Sequence, residues 1–95
     1  MASQEDAWQM PHKQRRLLIA KRLKNARENC GLTQRDVAKI MSIGASTYCR
    51  IERGITEPTA PQIATMSGLY GISVLWLLGI PSYVVNAVSS RMKDL

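Results

Sequence analysis

The sequence predicts an all-α fold, a compact five-helix domain followed by a sixth helix at the C-terminus. Three observations carry this. Apolar residues recur at three- and four-residue intervals, glycines fall where those runs stop, and no stretch shows the strict alternation of a half-buried strand. At 95 residues the chain is about one domain, and a chain of this size buries roughly two-thirds of its unfolded surface.

Residues 1–11 lack helical periodicity and read as an arm, and Pro11 either ends it or opens the first helix where a missing N–H costs nothing. From His12 to Asn29, Ile19, Leu23 and Ala26 form an apolar stripe, with Gly31 as a left-handed stop. Thr33 and Asp36 have capping-box spacing for a short second helix, about Gln34 to Met41, whose apolar side is Val37, Ala38 and Met41. After Ser42, Ile43 and Gly44, apolar spacing resumes at Tyr48 and Ile51 and stops at Gly54, giving a third helix over about Ala45 to Arg53. Thr59 and Gln62 repeat the capping-box spacing ahead of a fourth helix bearing Ile63, Met66, Leu69 and Tyr70 and ending at Gly71. Ser73 caps a fifth, Val74 to Leu78, closed by Gly79 and Pro81. The five-helix domain thus occupies residues 12–80, and 81–95 form a tail. Val84, Val85, Val88, Met92 and Leu95 give that tail an apolar stripe, which serves either a dimer contact or packing on the same domain.

The charge is lopsided, with thirteen Lys and Arg against seven Asp and Glu and a net charge of +6. Lys13, Arg15, Arg16, Lys21, Arg22, Lys24 and Arg27 follow one another with no acid between them. Such a stretch attracts a polyanion, either nucleic acid or an anionic membrane, or is a solvated basic face. Cys30, Cys49 and the lone His12 have no metal-ligand spacing, so the reading is reduced thiols with no metal, cofactor or disulfide framework. Cys49 also admits a redox reading, because Arg50 and Arg53 are its neighbours. With no GxSxG or P-loop spacing, no enzyme is expected. No apolar run reaches the roughly 20 residues of a membrane span. The N-terminus MASQEDAWQM is too acidic and polar for a signal peptide, so a cytoplasmic protein without a membrane partner is expected.

Two short helices joined by so brief a turn cross steeply, and in a basic all-helical domain the second of such a pair projects outward. Helices two and three are therefore a helix-turn-helix. The stretch TQRDVAKIMSIGASTYCRIERG resembles that of the lambdoid phage repressor and Cro family, including related antitoxin-type repressors, and the resemblance covers about Ile19 to Gly79. Val37, Ala38, Met41, Ile43, Tyr48 and Ile51 occupy the family's apolar and small positions. Ser42 departs from the glycine usual at the turn, at a cost of about 1 kcal/mol. The resemblance further implies an Arg27–Glu52 ion pair of structural role, a loop at ERGITEP, a fifth helix at VLWLLG, and core positions for Leu69, Trp76 and Leu77.

The exposed start of a projecting third helix fits the major groove, where side chains read base edges. Ala45, Ser46 and, one turn later, Arg50 are the candidates for base contact. A guanidinium bridges guanine O6 and N7 in two parallel bonds, although Arg50 can equally meet a phosphate or pair with Glu57. Ala45 and Ser46 can equally serve helix initiation. Gln34, at the head of the second helix, is placed for the DNA backbone, as are Arg35, Thr47, Arg53 and Thr56, with Lys39 adding charge. Lys13, Arg15 and Arg16 precede the family's usual first-helix start, so they form a DNA-tracking arm or a solvated extension. Tyr48 reads as core, with a hydroxyl that needs a partner. The partner expected is double-stranded DNA, bound by a homodimer acting as a repressor on a palindromic operator. The alternative is an antitoxin-like module whose tail captures a protein partner.

Overall fold

The computed structural model describes residues 8–84 of the chain. Five helices follow in order: α1 (His12–Asn29), α2 (Gln34–Ile40), α3 (Ala45–Glu52), α4 (Ala60–Tyr70) and α5 (Val74–Leu78). Backbone at 82–84 is again helical. The remainder of the expected sixth helix, with Val85, Val88, Met92 and Leu95, lies outside the described residues, and Val84 within them is half-buried.

Side-chain caps fix where three of these helices begin. Asp36 N donates to Thr33 Oγ1 at 3.1 Å while Thr33 N donates to Asp36 Oδ2 at 2.9 Å. The Thr59–Gln62 pair repeats this reciprocal box ahead of α4, at 3.2 and 2.9 Å. Ser73 Oγ accepts from Trp76 N at 3.3 Å to start α5. Each cap satisfies donors that the helix itself cannot, which is worth about 1 kcal/mol. Both α2 and α3 end one residue sooner than the spacing implies, at Ile40 and Glu52, with Met41 and Arg53 as their caps. Residues at such frayed ends keep near-helical backbone without completing the hydrogen-bond ladder.

Ile19, Leu23 and Ala26 of α1 meet Val37, Ala38, Tyr48, Ile51, Met66, Tyr70 and Leu77 in one core. Burying a side chain the size of Leu23, Ile51 or Met66 contributes about 1.5–3 kcal/mol. Leu77 is fully buried and Leu69 packs half-buried on the core, but Trp76 is 44% exposed, contrary to the expectation for it. Successive residues of a helix lie about 100° apart, and in the five-residue α5 it is Leu77 that faces inward. The Trp76 ring is covered instead by the Arg22 guanidinium, 4.6 Å from its centroid.

The arginines of α1 are used structurally. Arg15 donates to the carbonyls of Leu78 and Trp8, and Arg22 to that of Trp76. Arg16 Nε donates to Gly54 O at 2.8 Å. These carbonyls include C-terminal ones of α5, where orphan acceptors and the negative end of the helix dipole both favour a cation. Lys13, Arg15 and Arg16 therefore belong to the first turns of α1 and form no separate arm. Of the expected arm, residues 1–7 lie outside the described residues, while Trp8 and Met10 are half-buried.

Gly54, with φ +72°, ends the run that α3 begins and lets α1 come close. A Cβ there would sit 2.6 Å from Leu17 Cδ2.

Candidate nucleic-acid interface

Helix α3 has one face locked into the domain and one left open. Tyr48, Ile51 and Glu52 are buried. Ser46 and Arg50, four residues apart and so adjacent on the surface, are exposed. Ala45 and Thr47 are exposed in the first turn, and Cys49 is half-buried on the flank.

The turn that sets α3 against α2 runs through Ser42 at φ +56°. Ile43 N donates to Ala38 O at 3.0 Å, and Ser42 N to Lys39 O at 3.2 Å. Ala38, 3% exposed, packs in the core while its carbonyl anchors this turn.

Behind α3 lies a polar network. Arg27 Nε donates to Glu52 Oε2 at 2.7 Å and Arg27 Nη2 to Glu52 Oε1 at 3.0 Å, a bidentate pair with side-chain exposures of 10% and 1%. Arg27 Nη1 also donates to Leu32 O at 2.8 Å, which ties α1 to the α1–α2 loop. Gln34 Nε2 donates to Glu52 Oε1 at 3.1 Å. Burial pushes the Glu52 carboxyl up, but hydrogen bonds from Arg27, Tyr48 and Gln34 outweigh it and hold the group below the ordinary carboxylate range. The same pair pushes the Arg27 guanidinium up. The Tyr48 and Tyr70 hydroxyls share a hydrogen bond at 2.6 Å, so the hydroxyl of the core Tyr48 finds its partner on α4. Burial raises both phenols above their ordinary value, Tyr48 strongly.

Around the open face, Arg35, Lys39 and Arg53 are exposed. Among the described residues none of them, nor Arg50, has an ion-pair partner, so the Arg50–Glu57 pairing open in the sequence is not formed. Thr56 is half-buried, its N–H bonded to Arg50 O at 3.3 Å. Gln34 is half-buried and committed on one side to Glu52, while Lys13 is exposed on α1. The structure thus brings Ala45, Ser46, Thr47 and Arg50 together on one helix with Arg53 just beyond it, while Arg15 and Arg16 are turned onto backbone carbonyls.

Sequence reasoning missed the Gln34–Glu52 and Tyr48–Tyr70 bonds and the arginine clamps on α5. Each joins residues far apart in the chain, and no local spacing marks them.

The helix-turn-helix family profile matches residues 23–77, more than half of the chain and the whole of α2 and α3. The chain belongs to the helix-turn-helix family of phage-repressor and Cro type. It is 36% identical over 61 residues to the HTH-type transcriptional regulator ImmR of Bacillus subtilis, covering 64% of this chain and 48% of that protein. It is 34% identical over 62 residues to the HTH-type transcriptional regulator DicA of Escherichia coli, covering 65% of this chain and 46% of that protein. The chain therefore spans about half the length of the curated relatives it matches. Among the described residues no helix is long and apolar enough to cross a membrane, and no three His, Cys, Asp or Glu side chains could hold a metal ion together.

Proposed function

We propose that this chain is a sequence-specific double-stranded DNA-binding transcriptional regulator, a repressor that acts as a dimer on a pseudopalindromic operator. The observation that carries the reading is the open face of α3. Ser46 and Arg50 project from a helix whose other face is locked by the Arg27–Glu52 pair, and Arg35, Lys39 and Arg53, exposed and without an ion-pair partner among the described residues, lie on the same helix pair or just beyond it. A rigid helix with a free guanidinium suits base-edge readout, while the surrounding cations suit phosphates. The two relatives named above are HTH-type transcriptional regulators, which agrees with this.

In this reading Ala45, Ser46 and Arg50 contact bases. Gln34, Arg35, Thr47, Arg53 and Thr56 contact the backbone, and Lys13 adds long-range attraction. A dimer places two α3 helices about 34–36 Å apart, one turn of DNA. The tail stripe beginning at Val84 is the proposed dimer contact, and Leu75 and Trp76 of α5 are also exposed. That exposed apolar face also favours a second reading, an antitoxin-like protein whose tail captures a protein partner.

Selection from random duplexes tests the first reading. An enriched inverted repeat is expected, with affinity falling steeply with salt as counterions are retained. Recovery of no preferred duplex overturns it. Deleting residues 82–95 separates the two readings: lost dimerisation supports the first, and lost capture of a protein with intact DNA affinity supports the second.

A further inference from the structure

Glu52 closes α3 and Gln34 opens α2, and their side chains meet across the turn that joins those helices. The carboxylate is 1% exposed, and its oxygens accept from Arg27 and Gln34, with the Tyr48 hydroxyl also directed at the group. An ionised carboxylate only accepts hydrogen bonds, so it admits one orientation of the Gln34 amide, nitrogen inward. The half-buried amide keeps a second N–H and its carbonyl, and neither has a partner among the described residues. Arg27 meanwhile neutralises the carboxylate, which removes its repulsion toward an approaching phosphate.

We propose that Glu52 is a positioning residue for DNA binding: by fixing the Gln34 amide it sets the phosphate contact of α2 in register with the base-reading face of α3. This rests on the DNA-binding reading above. A side chain fixed before binding loses no rotamer freedom when the phosphate arrives, so the contact is stronger than that of a free glutamine. The same bond makes the backbone contact and the base contact move as one unit, so a shift of α3 against α2 weakens both.

A double-mutant cycle on the full chain tests this, using a duplex recovered by random selection. Kd and melting temperature are measured for the wild type, Gln34→Ala, Glu52→Gln and the double variant. Positioning predicts that Gln34→Ala weakens binding about tenfold in the wild type but less than about threefold beside Glu52→Gln, where the amide is already loose. The melting temperature of Gln34→Ala alone should move little. Equal fold-losses in both backgrounds, or no loss in the wild type, overturn the proposal while leaving DNA binding intact. A wild-type chain that prefers no duplex overturns the DNA reading and this inference with it. If Glu52→Gln does not fold, side-chain amide relaxation of the free wild type decides. A Gln34 amide as rigid as the backbone supports positioning, and one as mobile as the exposed Gln14 amide overturns it.

Discussion

Helix α1 and the helix-turn-helix contain the same residue type and use it in opposite ways. On α1, Arg15, Arg16 and Arg22 are turned onto backbone carbonyls of Trp8, Leu78, Gly54 and Trp76, where they close helix ends and cover an indole ring. On α2, α3 and the residue after it, Arg35, Arg50 and Arg53 stand in solvent without ion-pair partners among the described residues. Local density of positive charge is therefore a poor guide to which arginines are left free of the scaffold. The denser cluster is largely scaffold, and the sparser one is free to act.

Arg27 is the extreme case of the first use, and its loss gives the largest expected effect. Arg27→Ala leaves the Glu52 carboxylate, with its 1% side-chain exposure, without its main donor. Breaking a buried pair from one side costs about 3–5 kcal/mol, a large share of the stability of a small domain. Urea denaturation should show it, and a loss below about 1 kcal/mol would mean the pair is solvated. The pH dependence has a definite sign. The folded Glu52 carboxyl lies below its ordinary 4.5, so its contribution is complete above that value and fades as pH falls toward the folded value. Asp36, held down chiefly by its backbone and side-chain hydrogen bonds to Thr33, adds in the same direction. Raising the pH from neutrality, where both carboxyls are already ionised, should leave both contributions untouched.

Next in size is a pair of substitutions that should behave as mirror images. Arg50→Ala is expected to weaken operator binding by about 1–3 kcal/mol and to relax preference at one base position, with folding stability changed by no more than about 0.5 kcal/mol. Arg22→Ala should do the reverse: about 1 kcal/mol of folding stability lost with the Trp76 stacking and carbonyl contact, and DNA affinity within twofold. Affinity and melting measured on the same samples decide it. A uniform loss across all duplexes for Arg50→Ala would place that guanidinium on a phosphate, and a large affinity loss for Arg22→Ala would break the division between the two arginine sets.

That division also explains how much was legible in the sequence. The five helices follow from local chemistry, since Thr33, Thr59 and Ser73 cap within three residues and the glycines stop the runs nearby. The open side of α3 follows from periodicity, because Tyr48 and Ile51 fix which side is buried. The use of each arginine does not follow, because Arg22 and Trp76 lie more than 50 residues apart and only the packing of α1 on α5 brings them together. Trp76 reads as core for the same reason: an indole in an apolar run looks inward until a guanidinium is found to cover it. The Arg27–Glu52 pair was reached through family resemblance, and the Gln34 bond on the same carboxylate, with nothing in the local spacing to mark it, was not.

The smallest expected effect concerns the turn between the two helices. Ser42 sits at φ +56°, whereas the other left-handed positions among the described residues, at 31, 54, 71 and 79, are glycines. A side chain in that region costs about 1–2 kcal/mol relative to glycine. Glycine in turn gives up about 0.5–1 kcal/mol through the greater freedom of the unfolded chain. Ser42→Gly should therefore stabilise the fold by no more than about 1.5 kcal/mol, seen as a rise of several degrees in melting temperature. Because the backbone already has the conformation that glycine prefers, the angle between α2 and α3 should not change, and neither should operator affinity. A stabilised variant with altered DNA preference would show that serine, at this one position, is setting how α3 is presented.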